Sequence, residues 1–162
     1  MTSKLSLVVG DLVVRYGKVL KVFKIKKDTI EFQPFFAFQA VNGLSFTLKL
    51  KNAYDGHIRQ LVSKSKIKKL LSLIIKKPSA KINPPVYNTK TALNKNQLEE
   101  TLWIIKILWL EKQKKANTLL GGKLVVFRKA MLQATNEIAA VNKTSPNQAE
   151  LLIQSGLESS LK

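Results

Sequence analysis

The chain of 162 residues has no cysteine, one histidine, three arginines and only ten acidic residues. The missing cysteines exclude disulfides, thiolate zinc sites and thiol catalysis, and they fit a reducing compartment. The single histidine, His57, falls in a predicted turn beside Asp55 with no serine nucleophile marked out near it. It reads as a turn residue rather than a catalytic base. No group of His, Asp and Glu has metal-ligand spacing. Gly121-Gly122-Lys123 lacks the rest of a phosphate-loop pattern and the strand before it, so it reads as a helix breaker. No catalytic site, metal or cofactor is expected. A long hydrophobic run is also missing. The most apolar stretch, TLWIIKILWL at 101–110, contains Lys106 and falls short of the roughly 18–20 residues of a membrane span. The start, MTSKLSLVVGDLVV, is interrupted by Asp11 and carries no cleavage signal, so no signal peptide is expected. These absences point to a soluble cytoplasmic protein with no membrane partner.

What is present is lysine. The formal net charge is +18 and 25 of the 28 basic residues are lysine, with Arg15, Arg59 and Arg128 the exceptions. Such an excess points to an anionic partner, most simply nucleic acid. A lysine bias also arises from AT-rich coding, and placement bears on the choice. Between Gly56 and Leu98 there is no acid, while Arg59, Lys64, Lys66, Lys68, Lys69, Lys76, Lys77, Lys81, Lys90 and Lys95 all fall there. That clustering favours a functional basic face over a merely solvated one. The hydrophobic fraction of 45% is enough for a packed fold around it.

The periodicity changes along the chain. Residues 5–51 read as about five short strands: VVGDLVVRYG turns at Gly10-Asp11, and KVLKVFKIKK sets Val19, Val22 and Phe23 among lysines. FFAFQAV and LSFTLKLK flank the hairpin signal Asn42-Gly43. A sheet this short is expected to bury its edges by curling into a barrel of SH3 or Tudor type. Ile67, Leu70, Leu71 and Ile74 then follow helical spacing after Ser63 or Ser65 as N-cap, and Pro78 stops the helix. Beyond a proline-bearing connector, Asn96 with Glu99 suggests a capping-box start, with Glu99 and Glu100 in the favoured first turn. That helix, with Leu102, Ile105 and Trp109, is apolar nearly all round and is expected to be central. Trp109 reads as core and Trp103 as an edge residue. A third helix carries Leu124, Phe127, Met131, Leu132, Thr135 and Ile138. Ser145-Pro146-Asn147-Gln148 starts a last helix running to about Gly156. The expected fold is α+β: a small five-stranded SH3/Tudor-like barrel followed by a compact all-helical domain. Its parts are a barrel over 1–60, a basic helix over 61–77, a linker over 78–88 and a helical domain over 89–162.

Three segments in this order carry a family resemblance. LVVGDLVVRYGKVLKV (7–22) resembles the opening of CarD/CdnL transcription regulators, a Val-Gly-Asp-x-Val-Val strand pair followed by a glycine turn. KNAYDGHIRQLVSKSKIKKLLSLI (51–74) is similar to the family's next landmark through Asn52, Ala53, Arg59, Val62 and Ser63. FRKAMLQATNEIAAVNKTSPNQAELLI (127–153) resembles its long helix with a Glu-Leu-Ala end, here Glu137, Ile138 and Ala139, and the helix after it. The family's Tyr-Pro-x-His-Gly is reduced here to Arg15-Tyr16-Gly17.

The resemblance implies a partner and a mechanism. In the family the barrel binds the β subunit of bacterial RNA polymerase, and the helical domain touches promoter DNA at the upstream edge of the transcription bubble. Two polymerase-contacting arginines of the family fall at Thr47 and near Lys26, with Lys49 adjacent, and Arg59 joins this polymerase-binding set. A tryptophan wedged into the minor groove falls at Tyr87. Lys90 and Lys123 fall at basic phosphate contacts, and Lys81 completes the DNA-binding set. An aromatic wedge replaces lost base stacking, and flanking lysines add a salt-sensitive phosphate term. By its own residues Tyr87 is equally well placed to fold back onto the helical domain as a hydrophobic staple. The implied function is a monomeric, nucleoid-associated regulator that stabilises open promoter complexes. A general RNA- or ribosome-binding module accounts for the same charge, and a structural adaptor with coding-derived lysines is a third reading.

Overall fold

Hydrophobic alternation of period two gives way to helical spacing near Val62, and the fold divides there. The computed structural model describes residues 6–36, 45–53, 58–76, 93–94, 96–115 and 118–161. They form two units, Met1–Leu61 and Val62–Lys162.

The first unit is an antiparallel sheet of β1 (Leu12–Arg15), β2 (Lys18–Ile25), β3 (Thr29–Pro34), β4 (Phe46–Lys49) and β5 (Ile58–Gln60), in the order β4-β3-β2-β1-β5. A short helical turn, α1 (Leu50–Ala53), follows β4. Tyr16 and Gly17 both have positive φ, 50° and 75°, as a tight two-residue hairpin between right-twisted strands requires. One face of the sheet is the core: Val13, Leu20, Val22, Ile30 and Phe32 are buried together with Leu7, Ala53 and Ile58. Strict alternation from Val22 would turn Lys24 onto that face. A register shift between Val22 and Lys24 makes Phe23 the extra residue, so Lys24 stands opposite Glu31 and Ile25 opposite Ile30. The bulge keeps the lysine out of the core, and Ile25 beyond it stays exposed at the strand end.

The α+β class is observed, but the sheet is not a closed barrel. Among the described residues β4 and β5 are its two edges and do not pair with each other. With four and three residues they are too short to supply a closing ladder, and short edges, each bearing one basic residue (Lys49 and Arg59), resist stray pairing without closure. β3 was hidden in the sequence behind the more apolar FFAFQAV that follows it. β5 lies in a stretch that reads as a turn. Residues 37–44, with the Asn42-Gly43 signal, and 54–57, with His57, are outside the described residues.

The second unit is helical: α2 (Lys64–Ile75), α3 (Leu98–Lys114), α4 (Gly122–Asn142) and α5 (Pro146–Ser159). α4 packs on α3 and α5, and α2 packs against α3, α4 and α5. Ile104, Ile105, Ile138, Ile153 and Leu157 are fully buried at its centre, and Trp109 is buried as the sequence indicates. Ser145 and Gln148 form the reciprocal capping box expected of them. The start of α3 differs. Its N-cap is Gln97 without a side-chain bond, and Asn96 is instead buried with φ of 61°. The α4 stripe also differs, since Leu132 lies exposed while Gln133 to Ala140 are all buried. Among the described residues no helix is long and apolar enough to cross a membrane.

Candidate nucleic-acid interface

α2 has a buried face and a basic one, with Ile75 exposed at its end. Ile67, Leu70 and Ile74 are buried, while Lys64, Lys66, Lys68, Lys69 and Lys76 are exposed. Ser63 accepts the Lys66 N–H at 3.2 Å and so fixes where the helix begins. None of these five ammonium groups makes an ion pair among the described residues. The helix carries no acid in its first turn and no base in its last. Its macrodipole is therefore uncompensated by its own sequence.

The compensation comes from two buried charges on other helices. Glu137 of α4, 2% exposed, accepts the Val62 N–H at 3.1 Å just ahead of the N-cap. Lys106 of α3, also 2% exposed, donates from Nζ to the carbonyl of Leu73 at 3.2 Å and to that of Lys76. Its ammonium also lies 5.5 Å from the centre of the Trp103 ring. Burial pushes the Lys106 ammonium below the ordinary lysine range. A carboxylate thus sits at the positive end of α2, holding the N–H just ahead of its N-cap, and an ammonium sits at its negative end, satisfying carbonyls the helix leaves open. The basic face is held by both ends. In the sequence Lys106 shows only as a break in an apolar run; its tertiary partners lie about thirty residues away.

The outer face of the sheet from the middle of β2 to β4 is a second basic surface, whereas Val14 and Val19 on the same face are buried. Register places Lys24 and Thr47 on either side of Glu31, and Lys49 opposite Thr29. Lys21 stands opposite Gln33 on the same face. The Lys26 ammonium bonds Glu31, and this bond, with the charges of Lys26 and Lys24, holds the Glu31 carboxyl below its usual value. Phe23, set with Val19 and Val22 among lysines in the sequence, is 52% exposed, whereas the two valines are buried.

Of the expected polymerase-binding residues, Lys26, Thr47 and Lys49 therefore meet around Glu31. Arg59 does not join them. It lies on β5, opposite Val14, at the other edge of the sheet. Of the expected DNA-binding residues, Tyr87, Lys81 and Lys90 lie outside the described residues. Lys123, in the first turn of α4, is held by Glu111, its Nζ at 2.7 and 2.8 Å from the two carboxylate oxygens. Lys115 shares the same carboxylate at 3.0 Å. Both bonds hold the Glu111 carboxyl below its usual value. This trio borders a largely apolar cleft of about 520 Å3, with Leu108, Leu119 and Val126 among its walls. Among the described residues no cluster of His, Asp or Glu could hold a metal ion. The chain matches no protein-family model and no curated protein sequence.

Proposed function

We propose that the chain is a nucleic-acid-binding regulator of transcription of the CarD/CdnL kind. In this reading the sheet unit is an SH3/Tudor-like module that docks on the RNA polymerase β subunit. The helical unit holds promoter DNA near the upstream fork and stabilises the open complex. The observation that carries the nucleic-acid part is the lysine face of α2, free of ion pairs among the described residues and fixed at both helix ends. Preorganised ammonium groups gain affinity from phosphate neutralisation with little loss of backbone freedom. The order of a small sheet unit followed by a helical unit supports the polymerase part, together with the three ordered segments of resemblance.

Two measurements test the two parts separately. The triple substitution Lys64→Gln, Lys68→Gln, Lys69→Gln is expected to lower the log–log salt slope of duplex DNA binding by roughly 2.7, at about 0.9 per phosphate contact. An unchanged slope removes α2 from the interface. Capture of the isolated β subunit by the full chain tests the partner, and no capture sinks the polymerase reading. With polymerase bound, Tyr87→Ala is expected to shorten open-complex lifetime without weakening β-subunit binding. An unaltered lifetime returns Tyr87 to a packing role.

A further inference from the structure

We infer that the outer face of the sheet, centred on Phe23, is a binding site for unpaired nucleic acid. The inference goes beyond the polymerase reading and does not depend on it. The bulge makes Phe23 an extra residue in β2 and leaves it more than half exposed. A single exposed apolar side chain is common on protein surfaces, so it is the setting of Phe23 that points to a ligand. That setting is basic. Lys21 and Lys24 flank it along the strand, and Lys26 and Lys49 extend the same face across to β4. Four lysines stand against a single acid, Glu31, which Lys26 already engages.

An aromatic ring within a field of positive charge suits a strand whose bases are free to stack and whose phosphates lie to either side. A duplex keeps its bases stacked on one another and offers the ring nothing, so the unpaired strand is the preferred occupant. Because a ring stacks on any base, the site would tolerate sequence, and DNA and RNA strands share the chemistry it reads. The bulge is the local device that creates the site. It sends Phe23 outward, and by resetting the register it adds Lys24 to the basic face instead of the core.

The test uses the full 162-residue chain, isotope-labelled for amide NMR and titrated with oligothymidylate and oligouridylate of about eight nucleotides, a length within the span of small-sheet strand binders. Shifts are expected to centre on β2 and its neighbours in β3 and β4. Phe23→Ala is expected to weaken strand binding about tenfold or more, and Phe23→Trp to retain it, with stacking lost in one and kept in the other. Lys21→Gln with Lys24→Gln is expected to lower the salt slope by roughly 1.4, at about 0.7 per contact on a single strand. Phe23 lies outside the core, and the Phe23→Trp chain reports on any folding defect. Preference for DNA or for RNA assigns the source of the strand and leaves the site in place. Shifts confined to α2, or Phe23→Ala affinity within about twofold of the parent chain, overturn the inference. So does a result in which Phe23→Ala abolishes β-subunit capture and spares strand binding, since the face would then belong to a protein.

Discussion

The two units treat charge in opposite ways. In the sheet unit the described lysines and acids stay at or near the surface, and the core is an uninterrupted apolar layer from Val13 to Phe32. Where alternation would have carried Lys24 inward, the chain adds a residue and turns it out. In the helical unit two charges go inside, and each is spent on a helix end: Glu137 at the start of α2 and Lys106 at its finish. The difference follows from the elements. Cross-strand pairing already satisfies the backbone of a sheet's interior strands, whereas a helix leaves open groups at both ends that a buried charge can satisfy. A basic face thus arises in one unit by expelling lysine and in the other by anchoring a helix with a buried ion at each end.

The largest effect that separates the units should come from the sheet core. Phe32 is fully buried, and Phe32→Ala is expected to cost about 3–5 kcal/mol, a large share of what so small a sheet can hold. Amide exchange should show β1 to β3 opening while α3 and α4 keep their protection. Loss of protection in both units together would show that their stabilities are not separable.

Next in size is the buried ammonium. Lys106→Ala leaves the Leu73 and Lys76 carbonyls without their charged donor, and is expected to cost the helical unit about 2–3 kcal/mol, read as a shift in denaturant midpoint. Lys106→Met, which keeps volume and loses the charge, adds a pH test. Burial lowers the ammonium's pKa in the folded protein, so above that lowered value the unfolded chain holds the proton and the folded chain releases it. Stability then rises with pH up to the ordinary lysine range. The parent chain should gain on Lys106→Met across that alkaline window, and a constant difference would show that the site does not titrate there.

How much of this was legible depends on where the cause lies. The α2 faces and the Ser145–Gln148 box follow from residues within four positions of each other, and the sequence displays them, while for the α2 cap it offers Ser63 or Ser65 and the structure uses Ser63. The β2 bulge was half visible: KVLKVFKIKK cannot alternate strictly without burying Lys24, yet nothing local says where the extra residue falls. The capping of α2 was invisible, because Glu137 lies 75 residues from Val62 and a buried lysine looks like an interrupted apolar run. Sheet closure was misjudged for a related reason. Strand count suggests a barrel, but closure depends on edge lengths that only pairing reveals. The Tyr87 wedge rests on resemblance alone, since residues 77–92 lie outside the described structure.

A smaller effect concerns a cap that uses no buried ion. Ser145→Ala removes the acceptor of the Gln148 N–H and is expected to cost about 1 kcal/mol. Comparison with Lys106→Ala then ranks exposed capping against buried capping within one unit. Equal costs would deny the buried ammonium any special weight.

The smallest effect on stability tests the most specific feature of the helical surface. Glu111 is partly exposed and bridges Lys115 and Lys123, and solvent screens such pairs. Glu111→Gln is therefore expected to cost no more than about 0.5 kcal/mol. The parent chain keeps this contribution above the usual carboxylate range and loses it as pH falls through the lowered Glu111 value. Its effect on binding should be larger. The carboxylate holds two ammonium groups, so its removal frees both. If Lys123 lies at the DNA, Glu111→Gln should steepen the salt slope of duplex binding by up to roughly 1.8, at about 0.9 per contact. An unchanged slope would confine the DNA-facing charge of this unit to α2 and leave Lys123 as a brace across the α3–α4 turn.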